Sequence, residues 1–238
     1  RTCREMGIKT VAVFSDADAD ALHVKYADEA VNIGPPLSRK SYLNMEPIIQ
    51  AAVDKNVDAI HPGYGFLAEN AHFAEICGSC QITFIGPSPQ NIRLLGDKMV
   101  AKETMRKAGL PITPGSTAIV KTKEEALRVA RRIKYPVIIK ATAGGGGKGM
   151  RIVREGGEMA SALRQTMGEA GSAFGNDAIF VEKYIEDPKH IEVQVLGDGQ
   201  GKAIHVFERE CSVQRRHQKV IEESPSPSLT ADLRREIC

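Results

Sequence analysis

Residues 137–153 read V-I-I-K-A-T-A-G-G-G-G-K-G-M-R-I-V and carry the strongest chemical signal in the chain. An apolar strand presents Lys140; Gly144, Gly145, Gly146 and Gly147 follow in succession, then Lys148 and Gly149, and a second strand leaves the loop. Consecutive glycines forfeit much backbone entropy on ordering. In return, their N–H groups reach an anion with no Cβ in the way, a nest for phosphate to which Lys140 and Lys148 add charge. The Walker spacing G-x-x-x-x-G-K-[ST] fails here and no helix follows directly. A dinucleotide fingerprint is excluded as well, because the loop runs from strand to strand. A flap between antiparallel strands, closing over a nucleotide's phosphates, fits best; the bland alternative is a hairpin tip with two solvated lysines.

Downstream, Glu182, Lys183, Tyr184 and Ile185 end another apolar strand. A strand-end carboxylate beside exposed peptide groups can read an adenine edge, although a Glu-Lys pair alone reads equally as solvated surface. His190 opens the next strand, with Glu192 and Gln194 on its face by the period of two. The run E-R-E-C-S-V-Q-R-R-H-Q-K-V-I-E-E then places Arg209, Arg215, Arg216, His217 and Lys219 within 11 residues. Stacking aromatics are missing around these cations, which argues against an RNA stripe. Gln214 and His217 interleave with them, as in a pocket for phosphate and carboxylate.

The elements that must position these groups alternate along the chain. Short β-branched runs at residues 10–15, 29–33, 58–61 and 83–86 are separated by helical patterns at 41–55 and 70–80, predicting parallel βαβ units in a doubly wound sheet. One long helix is expected over residues 88–109, ended by Gly109 and Pro111, and the turn-rich segment 111–116 marks a domain boundary. Beyond it the periodicity predicts helices at 124–133 and 158–173, strands at 136–141, 150–153 and 178–184, and a hairpin of 190–196 with 202–210 about the turn G-D-G-Q-G. A last helix is expected at 229–238.

The 238 residues hold 32 basic and 30 acidic side chains, so no global positive field points to nucleic acid. No apolar run approaches the ~20 residues of a membrane span, and the start R-T-C-R-E-M-G-I-K is not a secretory signal. A cytosolic α/β chain is expected. Five cysteines in irregular spacing do not form a disulfide framework. Cys77 and Cys80, in C-G-S-C, lack the further ligands that a zinc site needs and read as small packed thiols.

Five co-linear stretches carry a resemblance: H-P-G-Y-G-F-L-A-E-N from His61, G-D-K ending at Lys98, the glycine flap, V-E-K-Y-I with K-H-I-E-V-Q-V, and E-C-S-V-Q-R-R-H-Q-K. Together they span essentially the whole chain, which resembles the biotin carboxylase family of the ATP-grasp superfamily. The resemblance implies an N-terminal Rossmann-like domain over residues 1–95 with its first strand missing, a helical linker over 96–112, an ATP-grasp lid over 113–184, and the start of the ATP-grasp C-terminal domain over 185–238. On this reading both ends are cut within the family's length. The turn at His61 is expected to be structural, since its Pro and Gly shape a tight bend.

Roles follow residue by residue from the same match. It implies that Lys98 and Lys140 bind nucleotide phosphates, and that Gly144, Gly145, Gly146, Gly147, Lys148 and Gly149 form the phosphate flap, with Lys148 where relatives often carry arginine. Glu182, Lys183, Tyr184 and Ile185 would hold adenine, partly through backbone. His190 and Gln214 fall near the ribose, His217 near the phosphates, and Lys219 at the bicarbonate and γ-phosphate end as the catalytic residue. The implied reaction uses ATP, Mg²⁺ (or Mn²⁺) and bicarbonate to carboxylate biotin borne on a carrier protein, and the complete enzyme is expected to be a homodimer working with a carboxyltransferase. Residues binding the metal are expected beyond Cys238, and this stretch alone is expected not to turn over. The acetyl-CoA system of fatty acid synthesis is the expected setting, with propionyl-CoA, methylcrotonyl-CoA, pyruvate and urea carboxylases sharing the module. Localisation would be cytoplasmic, or organellar for a eukaryotic parent. A non-catalytic nucleotide-binding module is the alternative from another class.

Overall fold

The computed structural model describes residues 1–142, 149–215 and 218–238, and the backbone alone of Lys98 and Phe174. It divides into two compact units, Arg1–Gly109 and Leu110–Cys238.

In the first unit the order is α1 (Thr2–Glu5), β1 (Val11–Phe14), α2 (Leu22–Tyr26), β2 (Glu29–Asn32), α3 (Met45–Asp54), β3 (Ala59–Ile60), α4 (Ala71–Ser79), β4 (Thr83–Phe84), α5 (Pro89–Gly96) and α6 (Lys98–Lys107). The strands are parallel, as the alternation predicts, but they pair as β1 with β2 and β3 with β4, two separate ladders instead of one doubly wound sheet. A small core forms where Phe73 and Cys77 of α4 meet Ala52, Leu67 and Ile82. Phe73 and Phe84 pack edge to face with centroids 6.1 Å apart, a favoured arrangement for rings of this quadrupole.

The single long helix expected over 88–109 is two helices. Ser88 caps α5, accepting from Asn91 N at 3.2 Å with Pro89 in the first turn. At Asp97 the backbone turns extended (φ −89°, ψ 117°), and its carboxylate accepts from Met99 N at 2.8 Å and Val100 N at 3.0 Å. An aspartate that caps a new helix outcompetes continuation of the old one. The break in G-D-K thereby sets Lys98 on the first position of α6.

The second unit contains α7 (Lys123–Ile133), β5 (Val137–Ala141), β6 (Met150–Val153), α8 (Met159–Phe174), β7 (Ile179–Lys183), β8 (Ile191–Gly197), β9 (Ala203–Arg215), β10 (Gln218–Glu223) and α9 (Ala231–Ile237). A capping box starts α7: Glu125 N donates to Thr122 Oγ1 and Thr122 N to Glu125 Oε2. Strands β6, β5 and β7 form an antiparallel sheet with β5 central. Its core joins Val137, Ile139, Val153, Ile179 and Val181 to Ala126, Ala130, Met159 and Leu163 of the two helices. Each Val, Ile, Leu or Met side chain among these, once buried, contributes about 1.5–3 kcal/mol of transfer free energy. Segment 115–120 extends the sheet beside β7, with Ser116 N donating to Val181 O at 2.7 Å and Val120 N to Ile179 O at 2.9 Å. Gly115 sits so close to β7 that a Cβ there would lie 2.7 Å from the Val181 carbonyl oxygen.

The other antiparallel sheet has the order β10-β9-β8. Its hairpin about Asp198 matches expectation, but β9 runs on to Arg215, well past the expected end at residue 210, and β10 is a strand that periodicity did not reveal. The reason lies in the composition of residues 211–223: charged and amide side chains alternate with few apolar ones, so the pattern reads as polar loop although Gln218, Lys219, Ile221 and Glu223 pair with β9.

Candidate functional site

Lys140 lies on central strand β5 and is the one residue of that strand not fully buried. Residue Glu182 occupies β7, opposite Ile138, so the diagonal between strands brings it to Lys140. The Lys140 ammonium donates to Glu182 Oε2 at 2.8 Å. The Glu182 side chain is only 6% exposed; a carboxylate buried this far needs its cation, because desolvation costs several kcal/mol unless compensated. The groups expected at phosphate and adenine are thus adjacent on one face of the sheet. Lys183 turns the other way, giving its ammonium to the carbonyls of Lys134 (3.1 Å) and Tyr135 (2.9 Å) behind α7. Its backbone, with that of Tyr184, is fixed by Pro114 and Pro136 carbonyls, and Ile185 is half exposed. Of the flap, Gly149 is described: it takes φ +67° and accepts from Ala141 N at 2.8 Å, closing the hairpin base. Gly144, Gly145, Gly146, Gly147, Lys148 and His217 lie outside the described residues, as does the Lys98 side chain.

A second cluster is built across β8, β9 and β10. Glu192 on β8 stands directly opposite Arg209 on β9, whose guanidinium donates to Glu192 Oε1 at 2.7 Å and to Gln194 Oε1 at 3.2 Å. Lys219 reaches over from β10 to the second oxygen, Glu192 Oε2. The cation-rich run therefore does not present free charges at Arg209 and Lys219; both converge on one carboxylate. The Lys219 ammonium holds the Glu192 carboxyl down at about 2 against the cost of partial burial, with Arg209 assisting. The same carboxylate raises Lys219 and Arg209 above their ordinary values. The Glu222 carboxylate also faces this group, so the two cations are matched by two carboxylates on paired strands. His190 and Gln214 meet beside this cluster, with Gln214 Nε2 3.1 Å from His190 Nδ1 and 2.9 Å from the Cys211 carbonyl. Beneath them Cys211 is fully buried, and burial pushes its thiol up, away from the thiolate a nucleophile would need.

Sequence reasoning named Lys219, His190 and Gln214 but gave Glu192 no role beyond a shared face with His190. Part of its signal was present, since period two set Glu192 on that face; its partner was not, because the register running from the turn would put it opposite Glu208 and a β-bulge between Val193 and Val195 moves it onto Arg209. Metal ligands are a different matter. Among the described residues one group could gather around an ion, Glu192, Cys211 and Glu222, whose ligand atoms lie within 4.8 Å of one another. It does not suit Mg²⁺, which wants octahedral oxygen ligands, since Glu192 is already committed to two cations and Cys211 offers sulfur.

Comparison with known proteins bears on this geometry. Residues 97–238 match the family described as carbamoyl-phosphate synthase L chain, ATP binding domain, and residues 1–92 match biotin carboxylase, N-terminal domain. A biotin carboxylase of a Nostoc species is 59% identical over 98% of this chain and 52% of its own length. Biotin carboxylase 1 of Bacillus subtilis is 56% identical over 100% of this chain and 53% of its own. The chain spans about half the length of the curated relatives it matches. Among solved structures, a Campylobacter jejuni biotin carboxylase in complex with a β,γ-ATP compound superposes with a TM-score of 0.91 at 51% identity, covering 99% of this chain and 53% of that one. The biotin carboxylase domain of Hydrogenobacter thermophilus 2-oxoglutarate carboxylase, solved with MgADP, ADP and bicarbonate, gives 0.88 at 51% identity, covering 100% and 52%. A parallel-stranded unit followed by an ATP-grasp unit, matched along its whole length by these proteins, places the chain in the biotin carboxylase family.

Proposed function

We propose that this chain carries the nucleotide- and bicarbonate-handling part of an ATP-dependent biotin carboxylase. A bicarbonate oxygen attacks the γ-phosphorus of ATP and ADP leaves, giving carboxyphosphate. Carboxyphosphate then breaks down to CO₂ and phosphate, and biotin N1′ loses a proton as it bonds to the CO₂ carbon. The difficult step joins two anions, so fixed positive charge is the main demand. The single observation that carries this reading is the Glu192 hub, which holds Lys219 protonated and in place beside His190 and Gln214. Lys140, Lys98 and the flap from Gly144 to Gly149 take the phosphates; Glu182, Lys183, Tyr184 and Ile185 take adenine; His190 and Gln214 lie toward the ribose and His217 toward the phosphates. Closing of the flap excludes water, to which carboxyphosphate would be lost.

In this reading residues 1–95 are the Rossmann-like domain, 96–112 the linker, 113–184 the lid and 185–238 the beginning of the ATP-grasp C-terminal domain. A biotin carrier and a carboxyltransferase are the partners, the complete enzyme is a homodimer, and acetyl-CoA carboxylation for fatty acid synthesis is the setting. No helix of the described residues is long and apolar enough to cross a membrane, consistent with a cytoplasmic or organellar enzyme. Fixation of labelled bicarbonate into free biotin by the longer parent polypeptide tests the proposal. ATP-dependent label in biotin is expected; ATP turnover with no label in biotin would refute it.

A further inference from the structure

Near its end the ladder between β8 and β9 pairs Val193 with Glu208, Glu192 with Arg209 and Ile191 with Glu210. One step further, at His190, it opens. The His190 carbonyl still accepts from Cys211 N at 2.8 Å, and a regular antiparallel pair would return His190 N to the Cys211 carbonyl. Instead, His190 N donates to Ser212 Oγ at 2.9 Å, and the Cys211 carbonyl accepts from Gln214 Nε2 at 2.9 Å. Two side chains of β9 thus take up the two groups that the ladder releases. Gln214 Nε2 also lies 3.1 Å from His190 Nδ1, so the backbone and the ring of His190 are each held by a side chain from the opposite strand.

Ser212 is in turn held by Glu210. Its hydroxyl has one proton, donated to Glu210 Oε1 at 2.7 Å, which leaves only lone pairs for His190 N. Glu210 is 5% exposed, and a carboxylate buried this far is stable only when its oxygens are bonded. Ser228 Oγ donates to Oε1 at 3.1 Å and Ser226 Oγ to Oε2. The Ser226 and Ser212 hydroxyls hold the Glu210 carboxyl down at about 2 against the cost of burial, so it is ionised at neutral pH and accepts without donating. Ser226 is itself tied: its N donates to Glu208 Oε1 at 3.0 Å, and Arg234 of α9 donates to the same oxygen at 2.7 Å. We propose that Glu210 and Ser212 are positioning residues: the carboxylate orients the Ser212 hydroxyl, the hydroxyl draws the His190 backbone off the ladder, and the His190–Gln214 pair is thereby set for the nucleotide's ribose. The inference rests on the reading above that places His190 and Gln214 toward the ribose. A ribose contact serves ground state and transition state alike, so loosening it weakens nucleotide binding and spares the chemical step.

The test uses the longer parent polypeptide and reads amide hydrogen exchange at His190 together with KM for ATP and kcat of ADP release. Ser212→Ala removes the acceptor of the His190 N–H, so exchange there should quicken by about tenfold or more. KM for ATP should rise about fivefold while kcat changes by less than about twofold. Ser212→Thr keeps the hydroxyl and should restore both readouts. Glu210→Gln, whose amide can donate to Ser212 and turn its proton toward His190 N, should behave as Ser212→Ala does. Unchanged exchange at His190 in Ser212→Ala would overturn the inference, as would a wild-type KM in that variant while His190→Ala raises it. Loss of kcat in Ser212→Ala that Ser212→Thr does not restore would reduce Ser212 to scaffolding and overturn it too. If His190→Ala itself leaves KM unmoved, the placement of His190 at the ribose falls, and the inference with it.

Discussion

Replacing Glu192 by glutamine keeps the shape of the hub and removes its charge. The carboxyl titrates at about 2 in the folded protein against 4.5 ordinarily, which bounds its contribution at about 3 kcal/mol. Because the side chain is 26% exposed and water screens the pairs, about 1–2 kcal/mol is the expected loss at neutral pH. The sign follows from the lowered value. Ionised Glu192 favours the folded state fully above its unfolded pKa near 4.5, and the benefit drains away as pH falls toward 2. Urea unfolding of wild type and Glu192→Gln should therefore differ by 1–2 kcal/mol at pH 7, and the difference should shrink by more than half at pH 3. A difference independent of pH would mean that shape, not charge, matters at residue 192. No difference at pH 7 would refute the hub as an energetic unit.

Lys140→Met should cost about 2–4 kcal/mol in thermal or urea unfolding, because the buried Glu182 carboxylate loses its cation, and a double mutant with Glu182→Gln should recover part of that loss. Gly115→Ala should destabilise the second unit by about 1–3 kcal/mol, since its Cβ would meet the β7 backbone; a neutral result in differential scanning calorimetry would contradict the close approach. Thr122→Ala removes the capping box of α7 and should cost about 1 kcal/mol by the same measurement. Iodoacetamide followed by peptide mapping should label exposed Cys80 at least about tenfold faster than buried Cys211.

Legibility in the sequence tracked how local the cause of each feature is. Strand β6 coincides with its expected range, and α4, α7 and β5 begin within a residue or so of theirs, because apolar periodicity and turn residues act over a few positions. The break at Asp97 was hidden for the opposite reason: the apolar pattern runs through it, and only the aspartate's bonds to Met99 and Val100 end α5 and begin α6. Strand β10 was hidden because its burial pattern is exposed throughout, leaving no alternation to read. At the site, Lys140, Glu182, His190, Gln214 and Lys219 were recognisable as chemistry-bearing residues. Their pairings were not, since Lys140 with Glu182 and Lys219 with Glu192 are set by register across strands 42 and 27 residues apart in sequence.

Bicarbonate dependence of ATP hydrolysis tests the central claim most directly. With MgATP supplied to the longer parent polypeptide, ADP release should require bicarbonate, rise on addition of free biotin, and be lost in Lys219→Ala. ADP release indifferent to both bicarbonate and biotin would contradict the account and leave this glycine flap and its lysines to another ATP-grasp chemistry.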